Sequence, residues 1–341
     1  MGLDNLIDEN GQPRFGIFSE PVENINYREF DYLTYMDKPA GKLARYLDAY
    51  QHHFVSVISD KLVLGCAVAD AKSAGKGFLY YYDPETREER HYSYLQLLSR
   101  NTAIDTRPDR GLSTFSKGGK KMSIEAFPEP RRRHLLVDIP GELSVDAVIS
   151  EPDGYMPLFF CSRNGYRGFN YTQKATALSV EGSLELGGKK IDMAEAGGLG
   201  SYDWTCGYLP GETTWNWAML SGKTQDGRRV GFNLCAGLNE TSFTENCFWL
   251  DGKLHKVDLV NFNFNRKDRS RQWRIESFDK QVELHFDPVG THGEKVNFII
   301  SQINFHQYFG KFSGEIRPKE GGGTIKIDGL WGLAEDHMAK M

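Results

Sequence analysis

The sequence predicts an all-β protein built as a tandem duplication of two antiparallel barrels or half-open barrels, with few short helices. Three observations carry this. Gly 36, Pro 13 and 13% aromatic residues in 341 supply frequent turns and short, ring-rich strands. Apolar residues alternate with polar ones between turn signals from His53 onward, the period of antiparallel strands. The order of these segments in the second half repeats that of the first.

Residues 1–36, rich in Asn, Asp and Tyr, read as an irregular arm. Lys38 to Gln51 places Leu43, Leu47 and Tyr50 at helical spacing after Pro39, which predicts a short helix. His53 to Ile58 and Lys61 to Val68 read as two strands joined by a tight turn at Ser59-Asp60. Phe78 to Tyr82 is a third, closed by a turn at Asp83-Pro84. Met122 to Phe127, His134 to Ile139, Leu143 to Ser150 and Met156 to Cys161 follow, separated by Pro or Gly, and Ala175 to Leu186 reads as a hairpin or meander. Arg131-Arg132-Arg133, just after a Pro-Glu-Pro turn, reads as a solvated loop. In the second half, Asp226-Gly227 and Asp251-Gly252 each sit between alternating runs, a strong hairpin signal.

The repeat is specific. Ile124-Glu125-Ala126-Phe127 matches Ile275-Glu276-Ser277-Phe278 at an offset of 151, and at that offset His134, Val145, Ile149 and Ser150 fall on identical residues at 285, 296, 300 and 301. Phe78 to Asp83 parallels Phe248 to Asp251, and Gly198 to Trp204 parallels Gly329 to His337. Domains of 1–200 and 201–341 follow. Closing each sheet on itself removes unpaired edges, so each half is expected to be a barrel of lipocalin-like size.

Net charge of −5 gives no electrostatic case for nucleic acid. No run approaches 18 apolar residues, so no transmembrane helix is expected. The N-terminal stretch lacks the apolar core of a secretory signal. Five widely spaced cysteines with no CxxC predict reduced thiols, a cytoplasmic protein and no zinc site. Gly197-Gly198-Leu199-Gly200 lacks the strand and helix of a nucleotide loop, and Gly321-Gly322-Gly323 reads as a flexible turn. No cofactor is expected.

Candidate chemistry concentrates between Gly197 and Gly252, which holds four of the 6 tryptophans: Trp204, Trp215, Trp217 and Trp249. Glu212, Asn216, Asn233, Asn239, Glu240, Glu245 and Asn246 interleave with them. Rings studded with a few polar groups suit a ligand pocket, and the same pattern suits a barrel core whose polar residues cap turns. Asp203, desolvated among tryptophans, would have a raised pKa and could act as a general acid, or it caps a turn. Glu335-Asp336-His337 ends the second half where Asp203-Trp204 ends the first. It offers an acid beside a base or a structural cap, and symmetric packing would bring the two motifs together. Glu240 and Glu245-Asn246 read as a carboxylate pair or a solvated turn. Of His52-His53, at most one can face into a barrel.

The block Asp203-Trp204-Thr205, Gly207-Tyr208, Glu212-Thr213, Trp215-Asn216-Trp217-Ala218, Asn239-Glu240 and Thr244-Glu245-Asn246, with Phe248-Trp249, Asp251-Gly252-Lys253 and the terminal Ala334 to Ala339, resembles the family called domain of unknown function 2804. That resemblance spans nearly the whole chain and implies no established activity. More distantly, the Tyr-x-Asp-x-x-x-Gly and aromatic-x-Trp arrangement is similar to the group of AttH-like proteins, carotenoid hydratases and tocopherol cyclases. That likeness implies two lipocalin-like (calycin-type) halves and acid chemistry on an isoprenoid double bond. Asp203 and Gly207 match the group's motif. Its His, Trp and second Asp positions hold Trp204, Cys206 and Asn216 here.

The leading expectation is therefore a protein that binds a hydrophobic or amphipathic small molecule of lipid or isoprenoid class. The alternatives are a hydratase or cyclase with Asp203, Glu335, Asp336 and His337 as its acid and base groups, or a scaffold for a protein partner.

Overall fold

A computed structural model describes residues 3–297, 302–321 and 323–340. Most of the chain is strand, and helix is confined to two short pieces among the described residues. The first large sheet starts with Ala49–Ile58, Val63–Asp70, Ala74–Tyr82 and Glu89–Leu97 and ends with Gly168–Leu186 and Leu199–Tyr208. Its first long strand, Ala49–Ile58, pairs with its last, Leu199–Tyr208, so the sheet curls back on itself. The second sheet repeats this connectivity: Glu212–Lys223 pairs with Ile325–Lys340, and Gln302–Ile316 lies next to the latter. The two sheets form two barrel-like halves. Among the described residues no helix is long and apolar enough to cross a membrane.

Strand order settles which residues are equivalent. Gly198 to Trp204 and Gly329 to His337 lie on corresponding strands, as do Phe78 to Asp83 and Phe248 to Asp251. The offset of 151 does not give the equivalence. It sets Lys120–Pro128 against Trp273–Ser277, whereas sheet order sets Arg131–Ile139 against Trp273–Ser277. Neighbouring strands share one alternation, so a gapless match slips by a strand without disturbing the pattern. Ile300 and Ser301 of that match, and Gly322, lie outside the described residues.

The sheets change over between Tyr208 and Glu212, not at 200/201. Leu199–Tyr208 pairs along its length with Ala49–Ile58 and Gly168–Leu186, so it belongs wholly to the first half. The predicted helix shrinks to Lys42–Leu47, because Tyr50, Gln51 and His52 already pair in the sheet. The N-terminal arm contributes Tyr27, Phe30 and Tyr32, which pack with Tyr208 in the first core. The arginine run is not a solvated loop. Arg131–Ile139 is a strand, and Arg133 is fully buried with Nη2 2.8 Å from Asp109 and its guanidinium over the Tyr202 ring. The carboxylates of Asp109 and Glu151 supply the counter-charge that lets arginines enter the interior.

Three apolar layers result. Leu64, Leu79, Ile124, Leu135 and Ile149 fill the first half. Leu220, Phe232, Trp273, Leu284 and Phe286 fill the second. Between them the outer faces of the two sheets meet through Phe54, Phe78, Tyr80 and Tyr82 on one side and Trp217, Phe309, Trp331 and Leu333 on the other. This seam is close-packed. A Cβ added at Gly231 would lie 2.0 Å from Thr176 Oγ1 of the other half and 2.8 Å from Leu220 O. Gly231→Ala is therefore expected to lower stability by about 1–3 kcal/mol, read by denaturant unfolding.

Candidate functional site

The seam opens into a cavity of about 210 Å³, above the roughly 150 Å³ that holds a benzene ring. It lies between the two halves, on the outer faces of both sheets, and not inside either barrel. Strand register dictates its walls. In the first half Lys174, Asp203, Phe54, Ala67 and Phe78 stand directly opposite one another on successive strands. Two residues along, Thr172, Thr205, His52, Ala69 and Lys76 form the next row. In the second half Gln307, Glu335, Trp217 and Cys235 form one row, and Phe305, His337 and Trp215 the next. The strands correspond by sheet order, and Asp203 and Glu335, on matching strands, both line the cavity. Setting these two against each other matches Phe54 with Trp217 and Lys174 with Gln307, which stand directly opposite them.

The two matched carboxyl groups sit in opposite electrostatic settings. Asp203 is 2.9 Å from Lys174 Nζ and 3.4 Å from His52 Nε2, and it accepts hydrogen bonds from Thr205 Oγ1 at 3.0 Å and Thr172 Oγ1 at 3.2 Å. Burial alone would raise its pKa, but the Lys174 ammonium and then His52 hold it well below the usual carboxylate range. The raised value expected for a desolvated Asp203 is thus reversed. Lys174 also reaches Glu245, at 3.2 Å from Oε2, and Glu245 is 1% exposed. Burial would strip the Lys174 proton, yet Asp203 and Glu245 push its pKa above the ordinary lysine value. At the matched position in the second half stands Gln307, which carries no charge. Burial therefore raises the Glu335 pKa, and the Asp203 charge adds to this. Hydrogen bonds to Glu335 from Trp215 Nε1 at 2.8 Å and from Gln307 Nε2 offset part of the rise. One carboxyl is held as an anion and the other has its pKa raised by burial, in the same cavity.

The rest of the wall is mostly apolar. Trp215 stacks on His337 with centroids 3.8 Å apart, and burial pushes that imidazole down to about 3, so it is neutral. Trp217 is fixed by donating Nε1–H to Asn233 Oδ1 at 2.7 Å. Tyr50 keeps its proton, because burial, then Asp203 and Glu335, raise its pKa. Cys235 lines the cavity as a thiol, its pKa raised by burial. Among the described residues no group of three or more His, Cys, Asp or Glu side chains is arranged to hold a metal ion.

Of the residues singled out from sequence, Asp203, Trp215, Trp217, Asn239, Glu245, Glu335 and His337 line the cavity. Asn233 backs it through Trp217. The others lie elsewhere. Asp336 faces away from the cavity and pairs with Arg269 at 2.7 Å, and Asn216 donates to it on that same face. Trp204 points into the first core, edge-on to Tyr171. Trp249 also joins that core, stacking on Tyr155 and donating to Met156 O. Asn246 ties the backbone of Cys235 and Asp258. Glu212 and Glu240 are exposed.

Lys174, Gln307, His52, Lys76 and Phe305 complete the site without having been singled out as site residues. No local signal marks Lys174, which sits in the mixed stretch Asn170-Tyr171-Thr172-Gln173-Lys174-Ala175. His52 and His53 do divide as alternation requires. His52 reaches the cavity, and His53 lies in the first barrel, 3.0 Å from Ser113 Oγ.

A family model described as Domain of unknown function (DUF2804) matches residues 3–341. Among solved structures, the chain is similar to CghA with Sch210972 at 11% identity and a TM-score of 0.55, covering 98% of this chain and 96% of that one. CghA is also matched at 10% identity and a TM-score of 0.54, covering 84% and 87%. A putative AttH from Nitrosomonas europaea is similar at 13% identity and a TM-score of 0.50, covering 84% and 91%. These likenesses concern the two-domain, lipocalin-like fold. No curated protein matches the chain by sequence.

Proposed function

The chain belongs to the family described as domain of unknown function DUF2804, a description that assigns no activity, and from the cavity we propose that the protein binds a small, mainly apolar molecule between its halves and donates a proton to it from Glu335. The observation that carries this is the split of the matched carboxyls: Asp203 ionised against Lys174, Glu335 pushed toward its acid form. Paired titratable groups whose surroundings drive their pKa values apart are the mark of divided acid and base roles. Once Glu335 has given up its proton, Trp215 and Gln307 already donate to both oxygens of the new carboxylate. Phe54, Trp215, Trp217 and Phe305 present faces and edges that shelter positive charge developing on the ligand. Asp203 can balance that charge. A hydration, cyclisation or isomerisation begun by protonating a double bond fits this wall. That CghA, of similar fold, is seen with Sch210972 supports a ligand-holding role for the architecture.

The test is solvent extraction of purified protein followed by mass spectrometry. A near-stoichiometric apolar compound is expected, and it names the chemical class to assay for turnover. Nothing above background, together with no quenching of tryptophan fluorescence by lipid or isoprenoid probes, would remove the ligand reading.

A further inference from the structure

The wall of the cavity continues outward along one strand. His91, Ser93, Leu95 and Leu97 alternate on the face of Glu89–Leu97 that looks toward the seam, opposite Tyr80, Phe78, Lys76 and Ala74. Leu95 and Ala74 line the cavity. Leu97 and Leu98, at its end, are 75% and 74% exposed. These two adjacent leucines join none of the three apolar layers and extend the apolar wall of the cavity outward.

The turn that displays them is not slack. Leu98, Ser99 and Asn101 all hold left-handed backbone, with φ of 54°, 47° and 54°, a conformation unfavourable for residues other than glycine. Hydrogen bonds on both sides of the turn hold it. Leu98 N donates to Ser73 O at 2.7 Å, and Ser99 Oγ donates to Asp70 Oδ1 at 2.6 Å. Asp70 is itself pinned by Lys72 Nζ at 2.6 Å. A second hairpin tip leans on the turn, with Lys117 Nζ donating to Leu95 O at 2.8 Å. That tip adds Lys120 and Lys121, and Arg100 ends the turn. No acidic residue occurs in 94–104 or 111–124, in a chain of net charge −5. The rigid apolar prong is flanked by Lys117, Lys120, Lys121 and Arg100, with Asp138 across from Lys121 and Glu294 further along the same face. It lies at the edge of a mostly apolar cavity and has the chemistry of an interfacial anchor for anionic lipid.

We propose that the Leu95–Arg100 turn and the Lys117–Lys121 tip dock the protein on an anionic phospholipid bilayer, with the cavity edge facing the surface. As a route for ligand entry this rests on the apolar-ligand reading above; the docking itself does not. Sedimentation of the full chain with vesicles tests it. Strong binding is expected to an equal mixture of phosphatidylcholine and phosphatidylglycerol, and weak binding to phosphatidylcholine alone. Leu97→Ser combined with Leu98→Ser should weaken binding more than about tenfold with an unchanged unfolding midpoint. Lys117→Gln and Lys121→Gln should each weaken it about fivefold, and salt should suppress it. Wild-type protein that stays in solution with both vesicle types overturns the proposal. So does a double leucine variant that sediments like wild type, or a wild-type dimer that the leucine variant dissolves while neither sediments. An empty cavity in a chain that does sediment leaves docking standing and defeats only the ligand reading.

Discussion

Replacing Lys174 with methionine is expected to destabilise the protein by about 3–5 kcal/mol at neutral pH, because it strands buried charge. The stem is kept and only the ammonium is lost. Asp203 and Glu245, 7% and 1% exposed, then face each other with no counter-ion between them. The pH dependence should invert. In the native chain the depressed pKa of Asp203 contributes stability that is full above about pH 4 and is lost as pH falls through its folded value. In the variant the strongest opposing charge is gone, only His52 and the two threonine hydroxyls still oppose burial, and the Asp203 pKa rises. Groups shifted that way stabilise at low pH and lose their contribution as pH rises through the folded value. Denaturant unfolding at about pH 5 and about pH 8 distinguishes the two. The variant should be the less stable at the higher pH. A variant with the wild-type pH slope would show that Lys174 is not what holds Asp203 ionised.

Glu335→Gln is expected to cut turnover of the extracted ligand by about 10²–10⁴ while leaving binding intact. The amide oxygen still accepts from Trp215, but the side chain has no acidic proton to give. Gln307→Lys makes the complementary case, since it writes the first half's charge into the second. An ammonium beside Glu335 should pull its pKa down, as Lys174 does at Asp203. Activity should then fall at neutral pH and return as pH is lowered. Stability gives an independent reading of the same group. A carboxyl with a raised folded pKa contributes stability at low pH that is lost as pH rises through that value. Glu335→Gln removes that loss, so it should be the more stable protein at about pH 8. Full activity in Glu335→Gln would exclude this group as the proton donor.

Much of this was legible from residues. Alternation and Asp-Gly turns announce the strands, and the likeness of Gly198–Trp204 to Gly329–His337 brings Asp203 and Glu335 to matching places. The division within each motif was also available. Neighbours on a strand face opposite ways, so Asp203 parts from Trp204, Trp215 and Trp217 from Asn216, and Glu335 and His337 from Asp336. What could not be read was which face holds the cavity. A barrel pattern suggests an interior site, and nothing local in Gly168–Leu186 or Gln302–Ile316 says that their outer faces are covered by the other half. Lys174 and Gln307 therefore look like ordinary outward polar residues until the halves are set together. Arg133 was misread for a related reason. Its partner Asp109 lies 24 residues earlier in the chain, Glu151 pairs with the neighbouring Arg131, and only the closed sheet assembles them.

The correspondence of Lys174 with Gln307 bears on how such a site can arise at all. Two identical copies of one half, associated about a twofold axis, would have to carry the same residue at both places. Two lysines would leave both acids ionised, and two glutamines would leave two facing carboxyls competing for one proton. Joining the copies in a single chain releases them from that constraint. Each can then change alone, and one substitution on one side is enough to turn a symmetric pair of acids into a polarised one.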